Sequence, residues 1–228
     1  MSAPGGLLGW VGCPNARDVG GLPTRDGRRV RSGALLRTDS LDQLDVTGIR
    51  CVQDLRPALV LDLRSDFETA VKEHPLGADR AYRCIPFIDP ARDVERDRAA
   101  EHTLADRYRG SLDRNGGQVA AIVRATAAAP DGPVIVHCVA GKDRTGLVVA
   151  LLLDLVGVPH DLICADYARS EELLQLTDAD KFSRSRPETM AETLRHLDQR
   201  WGGAGGYLAA HGVDEATLEQ VRSRLLDR

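Results

Sequence analysis

The chain has 228 residues, enough to bury a core without disulfides, and its 43% hydrophobic and 28% charged content is an ordinary globular balance. A formal charge of −4 argues against a general nucleic-acid binder, and no stretch is long and apolar enough for a membrane span. The five cysteines, Cys13, Cys51, Cys84, Cys138 and Cys164, are scattered without a C-x-x-C pair, which speaks against a disulfide framework or a zinc knuckle. A reducing, cytoplasmic setting follows as the default. The first residues lack a basic n-region and an apolar h-region, so no signal peptide is read, although secretion without a recognisable signal stays open.

In chain order, residues 1–12 are rich in Gly and Pro and read as a loose leader. Asp26-Gly27 between Leu22 and Val30 predicts a small hairpin, and residues 31–39 a short strand running into a cap. Turn chemistry and capping account for the polar residues of this region. Residues 41–55 read as one helix or two short ones, 59–64 as a buried strand after Pro57, and Ser65 to Glu68 as the cap of a helix reaching Lys72. Another short strand spans 82–87. Residues 91–114 alternate arginines with acids and carry little large apolar content, so they predict a solvated helix or a mobile lid rather than a core segment. Helices follow over 118–128, about 145–155, 161–176, 188–200 and 214–226, with a loop at 177–187 and a break at 202–206. Strands alternating with helices predict an α/β fold: one domain over 1–228, with a central, mostly parallel sheet of about four to five strands flanked by helices.

The chemistry concentrates at residues 134–146. An apolar, β-branched run, Val134-Ile135-Val136, leads through His137 into Cys138, Arg144 follows, and a helix-forming apolar stretch begins directly after Thr145-Gly146. A thiol is mostly protonated at neutral pH, its unperturbed pKa being about 8.5, and only the thiolate is a good nucleophile. Loop amides, a helix N-terminus and a nearby guanidinium all favour the anion. The same donors fit the oxygens of a phosphoryl group, and Arg144 can bind two of them side by side. A nucleotide-binding P-loop is rejected, because Val136 and Asp143 stand where that motif needs Gly and Ser/Thr. A sulfur-transfer loop would also use an activated thiolate. His137 and Cys138 lack two further zinc ligands at sensible spacing.

His137-Cys138-x-x-Gly141-x-x-Arg144-Thr145 resembles the His-Cys-x5-Arg-[Ser/Thr] signature of the protein tyrosine phosphatase superfamily. The filling of the loop, Ala140 to Gly146, is similar to a narrower branch, the bacterial atypical tyrosine/serine phosphatases with dual-specificity and lipid-phosphatase character. Asn15 to Gly21 resembles that branch's opening Asn-Phe-Arg-Asp-Leu-Gly-Gly, with Ala16 and Val19 as departures, and the likeness extends over roughly 13–226. Asp62-Leu63-Arg64 with Glu68, Pro86-Phe87, and Asp166-Tyr167 with Ser170 also sit where the branch has similar residues.

The resemblance implies a metal-independent cysteine phosphatase that uses no cofactor. Cys138 would attack phosphorus and form a phosphocysteine, which water then hydrolyses. Arg144 with the backbone of Val139, Ala140, Gly141, Lys142 and Asp143 would hold the transition state. Thr145 would hydrogen-bond the sulfur, His137 would order the loop from behind, and Asp62 and Arg64 would support the site. Asp143 is the first candidate for general acid and Asp89 the second, since the Trp-Pro-Asp loop of many relatives is absent. Lys142 reads either as a contact to a second substrate anion or as a solvated loop lysine. The partner is a phosphorylated substrate: phosphoprotein, phosphoinositide or small phosphate ester. A phosphate-binding pseudophosphatase is the reading of a different class. Oligomeric state is not written in the sequence.

Overall fold

The computed structural model describes residues 6–72, 74–178 and 182–227. In chain order the elements are β1 (Arg17–Asp18), β2 (Leu35–Thr38), α1 (Val46–Asp54), β3 (Leu59–Asp62), α2 (Asp66–Val71), β4 (Tyr82–Cys84), α3 (Pro90–Asp93), α4 (Leu104–Arg114), α5 (Gly116–Ala128), β5 (Val134–His137), α6 (Asp143–Leu155), α7 (His160–Leu173), α8 (Pro187–Trp201), α9 (Ala204–Ala210) and α10 (Glu215–Leu225). The five strands form one sheet in the order β1-β2-β5-β3-β4, in which only the β1–β2 pair is antiparallel. This is the α/β architecture with a mostly parallel sheet that the alternation of elements predicts.

The three inner strands are buried at every position, as parallel strands covered on both faces must be. Alternate residues point to opposite faces. Leu35, Leu59, Leu61, Val134 and Val136 enter the larger core beneath α4 to α10, while Leu36, Val60 and Ile135 enter a smaller one with Val52 of α1. Thr38, His137 and Asp62 lie side by side in register, so three strands end at one level. That edge, at the carboxyl ends of the parallel strands, is where open α/β sheets place ligands.

Three expectations change. The leader is held in place from Gly6 onward: Asp18 donates to the Gly6 carbonyl at 2.9 Å, Leu8 donates to Ala16 at 3.1 Å, and Trp10 is buried in the smaller core. Residues 1–5 lie outside the described residues. Within 91–114, the stretch expected to stay out of the core, α4 buries Leu104, Ala105, Tyr108 and Leu112. Few apolar groups suffice when they recur at helical spacing on one stripe. The break at 202–206 is confined to Gly202 and Gly203, because the Asp154 carboxylate accepts from the Ala204 amide at 2.8 Å and starts α9. That cap comes from a residue far away in sequence. No helix among the described residues is long and apolar enough to cross a membrane.

Candidate active site

The loop from Cys138 to Lys142 joins the central strand β5 to α6, and its shape follows from what grips it. Gly141 has φ +64°, and a Cβ there would lie 2.2 Å from the Thr38 carbonyl, so both conformation and space require glycine. Ser40 donates its amide to the Val139 carbonyl at 2.8 Å, Asn15 Nδ2 to the Ala140 carbonyl at 2.8 Å, and Arg37 Nη2 to the Gly141 carbonyl at 2.7 Å. Three successive carbonyls are thus held outward by neighbouring elements. Each peptide's N–H points opposite to its C=O, which leaves the amides for the interior of the loop, as in an anion-binding nest.

A buried ion network forms the floor. Arg17 Nε donates to Asp166 Oδ1 at 2.8 Å, Arg37 Nη1 donates to Asp166 Oδ2 at 2.6 Å, and Arg17 Nη1 donates to Asn15 Oδ1 at 2.6 Å. Burial alone would raise the Asp166 carboxyl, but Arg37 and Arg17 outweigh it and hold the group at about 2. Burial likewise brings Arg17 down to about 10, its neighbour Arg37 adding to the effect. The opening motif therefore does more than make turns. Only Asp18 behaves as turn chemistry, accepting from the amides of Gly20 and Gly33 at 2.8 Å each.

Arg144, on the first turn of α6, is held by Glu68 of α2. Nη1 donates to Oε2 at 2.7 Å and Nη2 to Oε1 at 2.8 Å, the parallel fork that fixes a guanidinium plane. Glu68 is itself aimed by a capping box, in which Ser65 N donates to Oε2 at 2.8 Å and Glu68 N donates to Ser65 Oγ at 3.3 Å. The hydrogen bond from Arg144 is the main reason the Glu68 carboxyl sits at about 2. The sequence places Glu68 in a helix cap and in the family likeness, but its pairing with Arg144 is visible only in the fold.

Behind the loop, His137 is fully buried and its Nδ1 lies 3.2 Å from the Cys138 carbonyl. It stacks on His74 at 5.0 Å, and His74 on Tyr82 at 4.3 Å. Burial lowers the pKa of both histidines, His74 to about 3. Asp62 and Arg64 pair with each other at 2.8 Å and with Asp42 and Tyr82, so they brace the strand end rather than enter the cleft. Thr145 is fully buried and its Oγ1 has no hydrogen-bond partner among the described residues.

On the other side of the loop lies a cleft of about 280 Å³, walled by Phe87, Tyr108, Asp143, Arg144, Leu147 and Phe182 among others. Asp143 Oδ1 accepts from Tyr108 Oη at 2.5 Å, and Lys142 Nζ lies 2.8 Å from the same oxygen. Asp89 is not part of this cleft. It caps α3, accepting from Ala91 N at 2.9 Å, and lines a separate recess with Asp113 and Asn115. Lys142 is buried, not solvated, and donates to the carbonyls of Phe182 and Arg184 at 3.2 and 3.3 Å.

A cysteine in a glycine-turned loop of outward carbonyls, followed on the next helix by a guanidinium fixed in its plane, fits a cysteine-dependent phosphatase centre. The comparisons agree. The profile of the tyrosine phosphatase family matches residues 8–227, and the chain belongs to that family. It is 32% identical over 274 residues to the triple specificity protein phosphatase PtpB of Mycobacterium tuberculosis, covering 94% of this chain and 97% of that protein. It is also 30% identical over 221 residues to a tyrosine-protein phosphatase of Nostoc commune, covering 86% of this chain and 75% of that one. The chain is thus a phosphoric monoester hydrolase, working through the phosphocysteine chemistry general to its family.

Proposed function

We propose that this single-domain enzyme removes phosphate from phosphotyrosine and from other hydroxyl-linked phosphates of proteins in the cytoplasm, with Cys138 as nucleophile and Arg144 as the transition-state clamp. The observation that carries the reading is the fork between Arg144 and Glu68, which sets the guanidinium plane before any phosphate arrives. The names of the two relatives support the breadth: one is called a triple specificity protein phosphatase and the other a tyrosine-protein phosphatase.

In the first step Cys138 Sγ bonds to phosphorus while the ester oxygen leaves and takes a proton from Asp143. In the second, Asp143, now a carboxylate, takes a proton from water, whose oxygen attacks phosphorus and releases Cys138 as thiolate. Thr145 Oγ1, buried and without a hydrogen-bond partner among the described residues, is a hydroxyl available to hydrogen-bond that sulfur. Asp143 is assigned the proton transfers in preference to Asp89 because it shares the cleft with Arg144.

Aryl phosphate turnover tests this directly. Activity is expected to survive EDTA, to be inhibited by vanadate and to vanish in Cys138→Ser. Loss of activity in EDTA, or retention in Cys138→Ser, would overturn the cysteine mechanism. Initial rates on phosphotyrosine and phosphoserine peptides, set against inositol lipids and sugar phosphates, then test the protein-directed assignment. It fails if turnover is confined to the lipids or the sugars.

A further inference from the structure

Lys142 and Tyr108 both converge on one atom. Lys142 has three ammonium protons, and three acceptors surround Nζ: the Phe182 carbonyl at 3.2 Å, the Arg184 carbonyl at 3.3 Å and Asp143 Oδ1 at 2.8 Å. The side chain is only 6% exposed, so no proton is left for a substrate anion. Tyr108 reaches Asp143 from α4, a helix packed into the core. Its ring is buried edge-on against Tyr167 with centroids 6.1 Å apart, and its hydroxyl lies 2.8 Å from that of Tyr167 and 2.5 Å from Asp143 Oδ1. Burial raises the Tyr108 phenol well above its ordinary value, and the Asp143 charge adds to that, so the hydroxyl keeps its proton and acts as a donor. Asp143 Oδ2, by contrast, has no hydrogen-bond partner among the described residues, on a side chain that is 42% exposed.

We infer that Tyr108 and Lys142 form a clamp on Asp143 Oδ1 that reserves Oδ2 as the oxygen that delivers and recovers the catalytic proton. An oxygen that already accepts two hydrogen bonds cannot also carry a proton without displacing a donor, so the proton sits on the other oxygen. In the first step it passes from Oδ2 to the leaving ester oxygen, which becomes a hydroxyl. In the second, Oδ2 takes a proton back from the attacking water. Tyr108 and Lys142 are positioning residues, and Lys142 is not the reader of a second substrate phosphate. The inference rests on Asp143 being the proton donor.

A leaving group that is already a good anion needs no proton, whereas a poor one does, so the ratio of the two rates isolates the transfer. The measurement is kcat/KM for phenyl phosphate and for 2,4-dinitrophenyl phosphate in wild type, Tyr108→Phe, Lys142→Met and Asp143→Asn. The ratio is independent of how much of each variant is folded. We expect the phenyl to dinitrophenyl ratio to fall about tenfold in both clamp variants, and further in Asp143→Asn. An unchanged ratio in the clamp variants beside a lowered one in Asp143→Asn would overturn the clamp alone. An unchanged ratio in Asp143→Asn would remove the donor assignment and the clamp with it. In the same Lys142→Met protein, KM for 1,6-hexanediol bisphosphate relative to hexyl phosphate is expected to match wild type. A selective rise for the bisphosphate would return Lys142 to the substrate.

Discussion

Two carboxylates flank the catalytic loop, and they are held in opposite ways. Glu68 has both oxygens engaged, Oε1 by Arg144 and Oε2 by Arg144 and Ser65, and its carboxyl sits at about 2. Asp143 has one oxygen engaged, by Tyr108 and Lys142. On the proposed mechanism, the group that stays charged through the cycle is saturated, and the group that loses and regains a proton is left half open. On that mechanism, the number of satisfied oxygens separates the structural anion from the proton carrier. The comparison also divides the proposed reaction, with charge stabilisation assigned to the Glu68 flank and proton transfer to the Tyr108 flank.

The loop between the two flanks rests on the Asp166 floor through Arg37 and Asn15, and removing that floor gives the largest effect expected. Asp166→Ala leaves Arg17 and Arg37 buried, 0% and 1% exposed, without their shared carboxylate. A buried pair broken on one side costs about 3–5 kcal/mol, and this loss should appear in the denaturant midpoint of unfolding. Because Arg37 also donates to Gly141, activity on both good and poor leaving groups should fall together. A variant with wild-type stability would mean the floor does not carry the loop. Glu68→Gln comes next. It keeps the shape but weakens the fork, so kcat/KM should drop about tenfold, or roughly 1.4 kcal/mol, and equally for phenyl and dinitrophenyl phosphates. If its defect instead followed the leaving group, the division between the flanks would be lost.

The legible parts of this site are the local ones. Val134 to Val136 announce a buried strand, Gly141 a tight turn, and Ser65 to Glu68 a cap, each within a few neighbouring residues. Cys138 and Arg144 stand out by their spacing, and Thr145 enters with the family resemblance. What remained hidden depends on approach across the fold. Arg17 meets Asp166 across 149 positions, and Tyr108 meets Asp143 across 35. No periodicity or spacing encodes such a pairing. The helix carrying Tyr108 is not legible as a core element because the apolar content of 91–114 averages over a segment whose second half alone packs. Lys142 reads from the sequence as a substrate contact or a solvated cation, whereas its acceptors are the Asp143 carboxylate and backbone carbonyls of a segment forty residues further on.

The smallest expected effect is the share of the pH dependence of stability that Glu68 carries. The Glu68 carboxyl lies at about 2 in the folded chain against an ordinary value of 4.5, so its folded-state pKa is depressed. Between those two values the unfolded chain binds the proton and the folded chain does not, and stability rises with pH across that window. The contribution is therefore fully present above about pH 4.5 and is lost as pH falls toward 2. The pair is partly open to solvent, with side chains 22% and 30% exposed, and screening limits it to about 1 kcal/mol. Urea unfolding of wild type and Glu68→Gln should show a small advantage for wild type at pH 7 that shrinks steadily between pH 4.5 and 3. A gap that stays constant through that interval would mean that Arg144 gains nothing from the charge on Glu68 and is held by the shape of the fork alone.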